Sequence, residues 1–204
     1  MLGKVAAHYG LGPVVSIDPH THNLTTGDDS SALPSTYDEF ASSLRKAGVS
    51  EHVEIHKAYS TDVSPGWKRE IRFLWIDGDH TYEGAKSDFD GFFPFLASGG
   101  VVAFHDALNN FSGPIRVFVE DILRSNRFGP VGFVQSTAWA QFRPADAAIF
   151  AGAREKLERR AARLLPFVQK NGPLHGLEKI GYKLNRSRVP RGPVAPLNLA
   201  RLLS

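Results

Sequence analysis

Apolar positions along this chain gather in short β-rich runs, separated by stretches where they recur every three or four residues. Residues 13–18 (PVVSID), 52–60 (HVEIHKAYS), 72–76 (RFLWI) and 101–104 (VVAF) read as strands. Residues 131–144 (VGFVQSTAWAQFRP) read as two strands around a tight turn. Between them lie helical patterns. In residues 35–48, Thr36 and Glu39 have the spacing of a capping box, Phe40, Leu44 and Ala47 predict a buried stripe, and Gly48 a stop. Ala85, Phe89, Phe92 or Phe93, and Leu96 recur at helical spacing, with Gly91 and Pro94 weakening the second half. Pro114 suits the first position of a helix over residues 114–125. Strands thus alternate with helices to about residue 125 and a hairpin closes the set, which predicts an α/β fold with a mainly parallel sheet and an antiparallel C-terminal hairpin.

The pattern changes at residue 151. Residues 153–168 (AREKLERRAARLLPFV) predict a basic amphipathic helix, and the glycines and prolines after Lys170 predict a loosely wrapped end. Charge follows the same division. Residues 1–150 carry 12 Lys/Arg against 18 Asp/Glu, and residues 151–204 carry 12 against 3. The net +3 therefore joins an acidic domain of 1–150, at −6, to a basic tail of 151–204, at +9. That tail predicts a helix docked on the domain, or a peripheral contact with an acidic membrane or a lipid-linked substrate. Phe167 and Tyr182 alone make no stacking platform, so nucleic acid is not an expected partner. The absence of cysteine excludes disulfides and thiolate metal sites. No run reaches 18 apolar residues and no secretory signal is visible, so the expectation is a cytoplasmic protein.

Two strand ends carry the candidate chemistry. The run to Ile76 stops at Asp77, Gly78, Asp79 and His80, and the run to Phe104 stops at His105 and Asp106. A strand, a crossover helix and a second strand in one sheet are parallel, so both carboxyl ends fall on one edge, about 4.8 Å apart if they are neighbours. Ligands of open α/β sheets bind along that edge. Asp77, His105 and Asp106 would then offer oxygen and nitrogen ligands to a divalent cation. A structural alternative is turn chemistry, with Asp79 or Thr81 capping the helix at Tyr82.

The segment from Phe73 to Asp106, with its Asp-Gly-Asp-His, helix, Gly-Gly, strand and His-Asp, resembles the second half of class I S-adenosylmethionine-dependent methyltransferases. It is most similar to the metal-dependent O-methyltransferases of sugars and natural products, and the resemblance covers about residues 5–143. It implies a Rossmann-like sheet, S-adenosylmethionine as cofactor and a divalent cation, with magnesium expected. Asp77, His105 and Asp106 match its metal-ligand positions, though relatives commonly have an acid where His105 stands. His80 matches a general base. Asp18 matches the acid that accepts hydrogen bonds from the cofactor's ribose, and Ser60 and Asp62, by position, approach the adenine.

The resemblance also implies a first strand and glycine-rich turn that this sequence lacks, since residues 1–10 lead as a helix straight into the second strand. An N-terminally truncated fold with a gap in its sheet is the expectation. His20 and His22 are expected in a solvated loop, and Trp67, Trp75 and Trp139 in packing roles. The leading expectation is a metal-assisted O-methyltransferase acting on a sugar or small natural product. A metal-dependent hydrolase and a non-catalytic remnant serving as a partner subunit are the alternatives.

Overall fold

The computed structural model describes residues 1–21, 36–169 and 174–192. The chain forms two compact units, Met1–Gly66 and Trp67–Ser204. In the first, helix α1 (Leu2–Tyr9) ends at Gly10 in the left-handed conformation and leads into strand β1 (Val14–Ile17). Helix α2 (Thr36–Ala47), strand β2 (Val53–His56) and the single turn α3 (Ser60–Val63) follow. Strands β1 and β2 pair in parallel, Val14 opposite Val53 and Ile17 opposite His56. The capping-box and stripe expectations for α2 are corrected here. Thr36 is the first helical residue, and its hydroxyl faces His20 Nδ1 at 3.3 Å. Phe40 and Leu44 are only half-buried and Ala47 is exposed.

The second unit is built on a four-stranded sheet of β3 (Ile71–Ile76), β4 (Leu96–Phe104), β5 (Phe128–Val134) and β6 (Thr137–Phe142), in the spatial order β3–β4–β6–β5. β3 and β4 are parallel, whereas β4–β6 and β6–β5 are antiparallel, which is the expected parallel sheet closed by a hairpin. No ladder among the described residues joins β1–β2 to this sheet. β4 begins five residues earlier than expected. Its register with β3 slips between Ile71 and Phe73, and Gly99 absorbs the irregularity at φ +85°, a conformation open to glycine.

Helix α4 (Tyr82–Phe92) crosses from β3 to β4 and buries Ala85, Phe89 and Phe92, three of its predicted positions; Pro94 ends it in a 3₁₀ turn. Helix α5 (Ser112–Val117) starts two residues before Pro114 and continues into a π-helical turn over Phe118–Leu123. Phe104, Leu108, Ile115, Phe118, Ile122 and Phe128 are fully buried at the centre of this unit. Burial of each such side chain is worth roughly 1.5–3 kcal/mol.

The C-terminal segment is less loose than the sequence suggests. Helix α6 (Ala151–Ala161) buries Arg154, whose guanidinium donates to the carbonyls of Phe128 and Ala147 at 2.6 and 3.1 Å. After the short α7 (Leu165–Val168), the expected loose wrapping beyond Lys170 gives way to helix α8 (Gly176–Ser187). Tyr182 anchors α8 by donating its buried hydroxyl to the Leu108 carbonyl at 2.9 Å. Pro190 lies beyond the end of the helix and does not break it.

Candidate active site

The parallel register sets the site. Ile76 lies opposite Phe104, and the ladder runs one step further because the His105 N–H donates to the Ile76 carbonyl at 3.0 Å. Asp77 and His105 therefore leave neighbouring strands at one edge. His105 Nδ1 sits 2.9 Å from Asp77 Oδ1 and 3.4 Å from Asp106 Oδ1. His80 Nε2 lies 3.9 Å from Asp77 Oδ1 and 3.8 Å from Asp106 Oδ2. Asp77, His80, His105 and Asp106, four of the five ionisable residues at the two strand ends, are thus brought together. The side chains of Asp77 and His105 are 42% and 37% exposed, and that of Asp106 is 20% exposed, so a small ligand can reach a partly desolvated pair of carboxylates.

Each member is held by a separate device. Asp79 accepts from the Thr81 N–H and hydroxyl, and Thr81 Oγ1 accepts from the Gly84 N–H, so Thr81 caps α4. The capping alternative thus accounts for Asp79 and Thr81 but not for Asp77 or His80. The His80 ring stacks on Phe111, centroids 4.4 Å apart and planes 11° from parallel. The His80 carbonyl accepts from the Gly113 N–H at 3.0 Å. That approach requires glycine, because a Cβ at position 113 would lie 2.1 Å from the Thr81 carbonyl oxygen. Asp106 has a left-handed backbone, φ +53°, which aspartate tolerates better than most residues, and Asn109 Nδ2 donates to its Oδ1 at 2.7 Å. Phe111, Asn109 and Gly113 escaped the sequence reading. Gly113 before Pro114 was the one local signal.

Behind the site, α4 is pinned to α5. The Arg116 guanidinium lies 3.8 Å from the centre of the Tyr82 ring and donates to Glu120, which also accepts from the Tyr82 hydroxyl at 3.3 Å. Burial and the Glu120 carboxylate raise the pKa of the Tyr82 phenol. Lys86 pairs with Asp90 and Asp121, and these contacts outweigh burial to raise its pKa.

The chemistry of the donors fits a divalent cation: two carboxylates, two imidazoles, and a buried His80 Nε2 with no hydrogen-bond partner. Among the described residues, however, no three His, Asp or Glu side chains stand as a ready ligand set, and the shortest contact is between Asp77 and His105 themselves.

In the first unit, Asp18 follows β1 and extends its ladder, its N–H donating to the His56 carbonyl at 3.1 Å. Its Oδ1 accepts from the His20 N–H, and the side chain is 58% exposed. Such a carboxylate fits an acceptor of ribose hydroxyls. Ser60 opens α3 at the corresponding end of β2. His20 is not solvated as expected but buried, packed against Tyr37 and Phe40; His22 lies outside the described residues. Trp67 packs edge-on against Phe92, while Trp75 is 42% exposed, with its ring 5.6 Å from that of His105.

A parallel strand pair bearing acids and imidazoles at its carboxyl ends, flanked by helices and closed by an antiparallel hairpin, is a Rossmann-like α/β arrangement. Residues 1–107 match the methyltransferase domain family, and the chain belongs to it. Similar solved structures include the O-methyltransferase NovP, with 15% identity, a TM-score of 0.54, and coverage of 70% of this chain and 65% of that one. CalS11, a TDP-rhamnose 3′-O-methyltransferase of calicheamicin biosynthesis, is 18% identical, with a TM-score of 0.48 and coverage of 69% and 66%. A methyltransferase from Geobacter sulfurreducens is 19% identical, with a TM-score of 0.46 and coverage of 65% and 59%. The chain thus spans less than two thirds of the length of each.

Proposed function

We propose that this protein is an S-adenosylmethionine-dependent O-methyltransferase, assisted by a divalent cation such as magnesium, that acts on a hydroxyl of a sugar or small natural product. One observation carries the reading: His80 Nε2 is sealed from solvent, unpartnered, and turned toward the two carboxylates at the joined strand ends. Family membership and the fold shared with NovP, named as an O-methyltransferase, support the reaction class.

A neutral hydroxyl is a poor nucleophile. Asp77, His105 and Asp106 would hold the cation, which when bound lowers the pKa of the hydroxyl and fixes its oxygen. His80 Nε2 takes the hydroxyl proton. Phe111 keeps the ring in one plane. Asp18 and Ser60 are the residues proposed to bind the cofactor, Asp18 through ribose hydroxyls. The sulfonium brings its own leaving group, so alignment and exclusion of water complete the requirement.

The test is methyl transfer from labelled S-adenosylmethionine to a panel of sugars, nucleotide sugars and phenols. Chelator and Asp77→Ala should each abolish transfer, and His80→Ala should slow turnover roughly 100-fold or more with cofactor affinity unchanged. Undiminished transfer by Asp77→Ala in chelator sinks the metal-assisted reading. Release of phosphate from a generic ester with manganese would favour the hydrolase instead, and a folded protein that binds no cofactor would favour the remnant.

The partner reading extends to an anionic membrane surface. α8 buries Tyr182 but leaves Leu177, Ile180 and Leu184, one stripe at helical spacing, 85%, 55% and 54% exposed. Exposed Lys179 and Lys183 lie beside it, in a segment of net charge +9. Like charge disfavours a second copy against this face, whereas acidic headgroups complement it.

A further inference from the structure

A cleft of about 670 Å³ opens in the second unit, lined by Asn109, Gln135, Ser136, Arg186, Ser187 and Arg191 together with two apolar residues. It lies where the loop after β4, the β5–β6 turn and the end of α8 meet, and the Leu108 N–H donates to the Ser136 carbonyl across that junction at 3.1 Å. No carboxylate lines it. Neither arginine forms an ion pair among the described residues. Arg186 is half-buried, and its Nε is sealed from water with no hydrogen-bond partner. A buried, unpaired guanidinium N–H is costly to leave without an acceptor. Two guanidinium groups with amides and hydroxyls around them form a donor-rich wall that matches phosphate oxygens. The cleft also shares a residue with the strand-end site, since Asn109 donates from Nδ2 to Asp106.

We propose that this cleft binds the phosphate or diphosphate group of the acceptor, so that the substrate is a phosphorylated hydroxyl compound whose reacting hydroxyl is presented on the Asp106 side of Asn109. The proposal rests on the methyl-transfer reading for the identity of the substrate, but not for the binding of the anion. Arg186 and Arg191 bind the charge and act as specificity residues.

The experiment is calorimetric titration of the full chain with inorganic pyrophosphate, with acetate as the comparison anion. Saturable one-to-one binding is expected, weakened about tenfold or more by Arg186→Gln. Arg191→Gln should weaken it several-fold. Because Arg191 is exposed, that variant remains informative if the α8 substitution disturbs folding. The Lys179→Gln/Lys183→Gln double variant removes twice the charge of either arginine variant, outside the cleft, and should bind as the wild type does. Equal binding by wild type, Arg186→Gln and Arg191→Gln overturns the site, as does an equal loss in the double lysine variant or equally tight binding of acetate. Arginine-dependent pyrophosphate binding in a protein whose methyl transfer survives Asp77→Ala would keep the cleft and remove the catalytic reading. Methyl transfer lost in Asp77→Ala with no pyrophosphate binding would do the reverse.

Discussion

At the scale of the residue, the environment rather than the identity of each ionisable group assigns its part. Asp77 and Asp79 are two positions apart, yet Asp79 is consumed by Thr81 while Asp77 faces His105. Four of the histidines bear this out differently. His20 is packed among aromatics, His56 contacts Glu54 at 2.5 Å, and only His80 and His105 converge on the paired carboxylates. Tyr182 gives a prediction of another kind. Burial pushes its phenol up to about 12, from an ordinary value near 10. A folded-state pKa above the unfolded value means that the contribution is complete below pH 10 and is lost as the pH rises from 10 toward 12. The loss amounts to roughly 2–3 kcal/mol. Denaturant melts from pH 9 to 12 should show Tyr182→Phe losing less stability than the wild type across that window. Parallel losses would show that the phenol is not desolvated in this way.

At the scale of the element, the loop that carries His80 is fixed by the start of α5. Gly113→Ala places a Cβ against the Thr81 and His80 carbonyls, at 2.1 and 2.7 Å, where backbone rather than a flexible side chain must move. A loss of about 1–3 kcal/mol is expected in thermal melts, with turnover reduced further than stability alone explains. Unchanged melting would mean that the α5–loop contact is looser than described. For α8, sedimentation with vesicles should show binding that rises with anionic lipid content and falls on Leu177→Gln/Leu184→Gln. Binding indifferent to the leucines would leave only a diffuse charge effect. The sequence rendered the elements with clear period: β3, α4 and the hairpin lie where the alternation put them, because their apolar faces meet a single core. α2 lies where its pattern put it, but its stripe was overread, because Phe40 and Leu44 are only half-buried and Ala47 is exposed. α8 was missed because the glycines and prolines around a basic stretch signal a loop more strongly than one buried tyrosine signals a helix.

At the scale of the molecule, the residues proposed to bind the cofactor, Asp18 and Ser60, lie in the first unit and the acid–imidazole cluster lies in the second. The convergence of Asp77 with His105 and Asp106 could be read from sequence because parallel crossover topology leaves few arrangements for consecutive strands. What could not be read is what local pattern does not encode: the Phe111 stack on His80, the Asn109 bridge and the arginine cleft all depend on loops brought together by the fold. The most direct measurement is the effect of sub-stoichiometric Mn²⁺ on the imidazole resonances of His80 and His105, assigned by single substitutions. The account predicts that both broaden selectively in the wild type and stay sharp in Asp77→Ala. Resonances that are untouched by the ion, or equally broadened with and without the Asp77 carboxylate, would contradict a cation held by the joined strand ends.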